Sequence, residues 1–266
     1  MTTNHFRVVG VVSVALLASL ASGCREEGAA EELDTAMFDR GASSSVEVLE
    51  ALAVSDALFA FDPTLDPSAS AEANAMAIAS HVEGHGCASA EVSGSSVTVT
   101  FASGCMLRIG LTASGSVSAE IARSAAGLEV VLDFDALVVG SHTLEGTATF
   151  TTTNGSTLDV QLALAGSAGA ASAELTVVGS AGAMQIDGTT TGSRDGTTTS
   201  LAFTAVVWRT GDCYPSAGSM MVASGRVMQT VAFTSATPST GTVTITQGRV
   251  SREATLPSYG TCPMGA

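Results

Sequence analysis

The chain has no lysine. All 10 of its basic residues are arginine, set against 25 acidic ones, for a formal net charge of −15. Nucleic-acid binding draws on clustered cations that displace counterions from phosphates, so this balance argues against a nucleic-acid partner. It argues equally against electrostatic attachment to anionic lipid. Aromatic residues are scarce at 5 %, with Trp208 the sole Trp and Tyr214 and Tyr259 the sole Tyr. Sugar-binding surfaces and interaction hot spots lean on such rings, and a transmembrane barrel needs them in two girdles. The lack of lysine beside abundant Ala and Gly fits a GC-rich coding bias.

Motifs that carry chemistry are missing too. There is no Gly-x-Ser-x-Gly elbow, no phosphate-cradling loop and no dinucleotide fingerprint. No catalytic residue and no cofactor are therefore assigned. His81, Glu83, His85 and Cys87 form the one compact group of metal-ligand types, but Gly84 interrupts any helix that would align the two imidazoles, so no metal site is assigned either. Glu129, Asp133 and Asp135 share a strand face, which is what a solvated face looks like as well as an acid/base pair. His142 lacks a motif that would supply it with a nucleophile. Arg194-Asp195-Gly196 reads as a turn, and the Thr runs at 149–153, 189–191 and 197–199 read as exposed strand positions.

What is present starts at the N-terminus. Arg7 supplies one positive charge, Val8 to Leu20 is apolar apart from Gly10, Ser13 and Ser19, and the run ends in Leu20-Ala21-Ser22-Gly23-Cys24. These are the regions of a secretory signal, and the run is short for a membrane span, which needs about 20 apolar residues. Cys24 with Ser22 and Gly23 before it resembles the lipobox of bacterial lipoproteins, with Ala21 standing where leucine is usual. The resemblance implies cleavage before Cys24, acylation of that residue (palmitate among the acyl groups) and anchoring in a membrane. Arg25 after the cysteine points to the outer membrane. The mature chain would carry −16, since the signal removes Arg7 alone.

Residues 24–44 form an acidic tether rich in Glu, Ala and Gly. A helical lead-in over 45–86 follows. Its first helix runs from Ser45 to about Phe59, with Val46, Leu49, Leu52, Ala53 and Leu58 on one face and Ser43 to Ser45 offering caps. Asp62-Pro63 and Asp66-Pro67 break it. A second helix runs from Ser68 to about Val82 with Met76, Ala79 and Val82 as its stripe, stopped at Gly84.

From Cys87 to Ala266 the period becomes two. Leu158, Val160, Leu162 and Leu164 alternating with Thr157, Asp159, Gln161 and Ala163 is the clearest case. Turn signals at Ser93-Gly94, Gly140-Ser141, Asn154-Gly155 and Asp195-Gly196 keep the connections short. The expected fold is mainly β: an up-and-down antiparallel meander of roughly a dozen strands. It forms a curved sheet or partial barrel, with a two-sheet sandwich as the alternative. Leu111 to Val117, Leu144 to Ala148 and Ile186 to Thr190 are weakly alike, a repetition at the level of hairpins.

Cys87, Cys105, Cys213 and Cys262 allow three connectivities, and an exported protein meets oxidising surroundings. A hairpin turning near Gly94 makes Cys87–Cys105 the local pair, leaving Cys213–Cys262. The whole plan resembles uncharacterised envelope lipoproteins of GC-rich, myxobacteria-like Gram-negative groups. That resemblance implies an envelope lipoprotein, periplasmic or surface-exposed, and with no catalytic motif in the chain the expectation is a non-enzymatic one with a structural or protein-interaction role. It would be joined to the membrane by its anchor and to an envelope protein or an apolar ligand. Three alternatives stand beside it: a secreted protein, a carrier of a lipid on a concave face that includes Leu158, Val160, Leu162 and Phe203, and an enzyme with an unrecognised site.

Overall fold

The structure, a computed structural model, describes residues 46–256 except 60–64, 85, 108–110, 168, 181, 195, 210, 211 and 213. Cys24, Cys213, Cys262 and the expected tether lie outside the described residues. Among the described residues two helices come first, α1 (Val46–Phe59) and α2 (Ala71–Glu83). Ser70 starts α2 by accepting a hydrogen bond from the Ala73 amide at 3.1 Å, which satisfies one of the donors a helix start leaves open. Asn74 ties the preceding turn down, bonding both the amide and the carbonyl of Asp66.

Thirteen strands follow: β1 (Ala88–Ser93), β2 (Ser96–Met106), β3 (Thr112–Ser124), β4 (Gly127–Val139), β5 (His142–Thr152), β6 (Thr157–Gly166) and β7 (Ala170–Ser180). The meander continues with β8 (Ala183–Arg194), β9 (Thr197–Arg209), β10 (Ala217–Ser224), β11 (Val227–Ala232), β12 (Thr242–Gln247) and β13 (Val250–Thr255), with a short helix α3 (Thr237–Thr240) before β12. Each pairs antiparallel with its neighbour in the chain, in one sheet ordered β1 to β13. Short turns between alternating strands permit nothing else. The sheet is not closed, and all thirteen strands belong to it, so the sandwich alternative is replaced. On the edge strand β13, Arg252 is in register with Ile245 and exposed, a charge on the edge of the kind that discourages addition of a further strand.

Helix α1 departs from the expected one-sided stripe. Leu49 is only half-buried, while Glu47, Val48, Glu50 to Ser55 and Ala57 to Phe59 are all buried. At 3.6 residues per turn these positions point in every direction, so the helix has no solvent face. It packs against β5, β6 and β7 on one side and α2 on another. Its first turns lie by Gly140 in the β4–β5 turn. Its last residue, Phe59, meets Phe150 near the far end of β5, edge to face with centroids 5.1 Å apart. A flat sheet covers one stripe of a helix, so burial all round requires the sheet to curve about α1. In α2 the expected Met76 is 59 % exposed, and Asn74, Ala75 and Ile78 join Ala79 and Val82 on the buried side.

The core divides in two. One cluster joins both helices to the inward residues of β2 to β8; the other gathers Leu201, Met220, Val222, Val231, Val243 and Ile245, and Phe203 touches both.

The sheet bends where its register slips. Bulges occur between β2 and β3, β3 and β4, β4 and β5, β8 and β9, and β9 and β10. Three of the glycines there stand directly opposite a phenylalanine: Gly115 with Phe101, Gly146 with Phe134 and Gly188 with Phe203. These are the glycines of the three similar segments, so the weak repetition in the sequence marks the bends. Gly146 and Gly188 have φ of 112° and 124°. A Cβ on either would come within 2.2 Å of a carbonyl on a neighbouring strand, Ala163 or Glu174. An aromatic ring across the pair fills the space that the missing side chain leaves. Opposite them, Ala136 and Ala205 adopt φ of 54° and 48°, and the Asp187 carboxylate accepts the Ala205 amide at 2.7 Å to hold that bulge.

Cys87 and Cys105 form the expected local disulfide, with Cα atoms 5.3 Å apart. It spans the first bend, since Cys105 lies beyond the register slip that follows Phe101. Two outcomes are expected. Gly146→Ala loses about 2–4 kcal/mol in urea unfolding, through strain and a backbone clash, whereas Gly94→Ala, in an open turn, loses about 1 kcal/mol. Replacing Cys87 and Cys105 together by Ala lowers stability by about 3 kcal/mol on loop-closure grounds; an unchanged denaturation midpoint would refute the staple.

Candidate functional site

The polar cluster with the most unusual setting is on α1. Glu47 and Glu50, three residues apart, share a helix face, and each is 2 % exposed. They are buried because the residues around them, Val48, Ala51, Leu52 and Val54, are apolar on every other side, so burying α1 takes the carboxylates with it. The helix N-terminus lessens the cost, because its free amides and dipole favour negative charge.

His142, the first residue of β5, reaches Glu50 from the sheet: its Nδ1 lies 2.8 Å from Glu50 Oε1, with the imidazole 25 % exposed. The turn before it brings Gly140 so close that a Cβ there would be 3.5 Å from the same oxygen. On the other side, a Cβ on Gly166 would lie 3.7 Å from Glu47 Cγ. The cluster is thus gripped between the β4–β5 turn and the end of β6. Glu50 Oε2 and Glu47 Oε1 are buried without a hydrogen-bond partner among the described residues. Burial raises the Glu50 carboxyl above the usual glutamate range; the His142 hydrogen bond and charge pull it back, and the Glu47 charge adds to the rise.

A carboxylate on Nδ1 of a histidine is two-thirds of a hydrolytic triad. Among the described residues, however, no serine, threonine or cysteine is hydrogen-bonded to the other ring nitrogen. Nor does any described group of three His, Cys, Asp or Glu side chains have the placement to hold a metal ion. The cluster can bind and release protons, and it can hold α1 to the sheet.

No protein-family profile, curated protein or solved structure matches this chain.

The residues singled out in the sequence are dispersed. Cys87 is engaged in the disulfide, which removes it as a thiolate ligand. His81 sits at the end of α2 and Glu83 is exposed, while His85 and Asp195 lie outside the described residues. Asp133 and Asp135 point outward and are exposed, with Glu129 half-buried on the same face. Leu158, Val160 and Leu162 belong to the main core together with α1. Phe203 is half-buried beside it.

The outward face has its own order. Register aligns Thr98, Ser118, Asp133, Thr147, Ala163, Ser172, Thr191 and Ser200 in one row across eight strands. Every side chain in the row is short. Of the arginines described on β1 to β8, Arg123 turns inward to donate to the Ser68 and Ala69 carbonyls, and Arg194 is in phase with buried Thr190 and Gly192. Over β1 to β8 the face is therefore acidic and hydroxylic, and on β9 the exposed Arg209 adds a cation at the strand end.

Sequence reasoning missed Glu47 and Glu50. The signal was there in Val46-Glu47-Val48-Leu49-Glu50-Ala51-Leu52-Ala53-Val54, a helix apolar on all sides, which leaves its two acids no solvent face. His142→Ala, which strips Glu50 of its partner, should cost about 2–4 kcal/mol of stability. Glu50→Met combined with His142→Leu should recover most of that loss. A double-mutant cycle by chemical denaturation measures both, and a neutral His142→Ala would show that the contact carries no weight.

Proposed function

We propose that this chain is a non-enzymatic, lipid-anchored protein of the cell envelope, attached through Cys24, with a structural or protein-interaction role on the outward face of its sheet. The observation that carries this reading is the position of α1. A carrier needs its concave apolar face free for a ligand. Here Leu158, Val160 and Leu162 are packed in one core with the chain's own helix, and Phe59 closes on Phe150 at its end. The surface left for partners is the outward one, with its row of short hydroxyls and its carboxylates.

Support for the envelope comes from the sequence: the signal-like run to Cys24 and the acidic stretch after it. Acyl chains contribute about 0.8 kcal/mol for each buried methylene, so two or three chains on Cys24 hold even a −16 protein at a bilayer. The Cys87–Cys105 disulfide is in keeping with an oxidising compartment. The outer membrane is the proposed site, with Arg25 after the acylated cysteine as its support.

Metabolic labelling with palmitate, comparing the native protein with Cys24→Ala, tests the anchor: label and membrane fractionation should both be lost in the variant. An unlabelled native protein would reduce it to a secreted β-protein. Native mass spectrometry tests the role, with an expected mass equal to the chain plus its covalent lipid. A further, non-covalent lipid on the purified protein would replace the interaction role by that of a carrier.

A further inference from the structure

The first turns of α1 place Val48, Ala51 and Leu52 in the main core and carry a polar fastening besides. Glu50 Oε1 meets the His142 Nδ1 at 2.8 Å, Gly140 closes over that oxygen, and Gly166 lies against the Glu47 stem. The far end of the helix is held differently, by the Phe59–Phe150 contact and by Leu58, which is fully buried. The first end adds charge and hydrogen bonding to the core packing of Val48, Ala51 and Leu52; the other is held by apolar packing. We propose that Glu50 and His142, with Glu47 beside them, are a proton-operated latch that fastens the start of α1 to the rim of the sheet, closed at low pH and released as the pH rises.

The charge count is the reason. Two carboxylates at 2 % exposure lie on one helix face, and the one imidazole, which meets Glu50, can compensate at most one of them. When both are ionised a negative charge is left in the core with an oxygen unsatisfied on each glutamate, and isolated buried charge is strongly unfavourable. A proton on Glu50 removes its charge and with it the repulsion from Glu47.

Among the described residues the elements packed on α1 bring no further cation to this end. The inward faces of β6 and β7 are apolar, from Leu158 to Leu164 and from Ala171 to Val177. On α2, Glu72 and Glu83 are exposed, and His81 is already engaged, as is Asp56 further along α1. Arg123 is committed to the carbonyls before α2.

The direction agrees. Burial, offset by His142 and reinforced by Glu47, raises the Glu50 carboxyl above the ordinary glutamate value of 4.5. The folded protein therefore holds this proton more tightly than the unfolded chain does. That contribution is complete below about 4.5 and is lost as the pH rises through the raised value. Release of α1 would bare the aliphatic face of β5 to β7 that it now covers, so the latch ties the exposure of an apolar surface to the proton concentration. The inference stands on the described residues and does not depend on the lipid anchor.

Hydrogen exchange with mass readout on the full chain, from about pH 5 to about pH 9 and corrected for intrinsic exchange, follows local opening directly. Peptides within Val46–Phe59 should lose protection as the pH rises, by about tenfold for each pKa unit that folding adds to Glu50. Peptides within Thr157–Gly166 serve as the internal reference and should hold. Glu50→Gln, which keeps the shape and mimics the protonated form, should flatten the α1 profile, and Glu47→Gln should reduce its slope. Carboxyl carbon chemical shifts of Glu50 give a second readout that needs no variant, as a titration above 4.5. A flat α1 profile in the native protein would overturn the proposal. So would the same slope in Glu50→Gln, or loss of protection in α1 and β6 together.

Discussion

A single open sheet has one apolar face, and that face must be covered by something other than a second sheet. This constraint governs the molecule. Thirteen antiparallel strands in chain order produce a broad aliphatic surface, and the two helices that precede them are the described elements that cover it over β1 to β7. For α1 the consequence is extreme, since a helix enclosed by a curving sheet and a second helix has no wet side. Its sequence answers with small and aliphatic residues all round. The same enclosure draws Glu47 and Glu50 inside, where a free-standing amphipathic helix would have turned them to water.

Curvature follows from local backbone chemistry. A regular pleated sheet twists but does not fold sharply about a helix, and bulges supply the extra bend. The pairing of Phe134 with Gly146, and of Phe203 with Gly188, uses one device on either side of the main core. A glycine tolerates both the positive φ and the close carbonyl of a neighbouring strand, and the ring opposite covers the gap. The positive φ of Ala136 and Ala205 stores strain of about 1–3 kcal/mol each. The Asp187 bond to the Ala205 amide offsets part of it at one of the two bends. The first bend carries Phe101 opposite Gly115 and is crossed by a disulfide.

The strands were legible wherever inward residues were large and alternation was unbroken, as in β6. β3 and β10 were harder to read because their inward positions include Ala113, Ala119 and Gly218, and a bulge shifts the phase in each. The turn glycines and the local disulfide were readable because both depend on short-range geometry. The candidate site was not. His142 and Glu50 are 92 positions apart, and no spacing rule connects them. Their meeting depends on α1 running lengthwise along β5 with its first turn at the Gly140 end.

By itself the sequence determined the class of fold, the order and antiparallel sense of the strands, and the Cys87–Cys105 link. Each is set by periodicity and by connections too short to allow another partner. Only the tertiary structure decided that the sheet stays open in one layer, that α1 is buried on all sides, and that two glutamates and a histidine meet within the rim. Those outcomes come from a competition to cover one apolar face, in which the helices win because they are the nearest apolar surface in the chain. The position of a buried charge is a by-product of that competition. It follows the packing of the whole element, and the residue that bears it has no say.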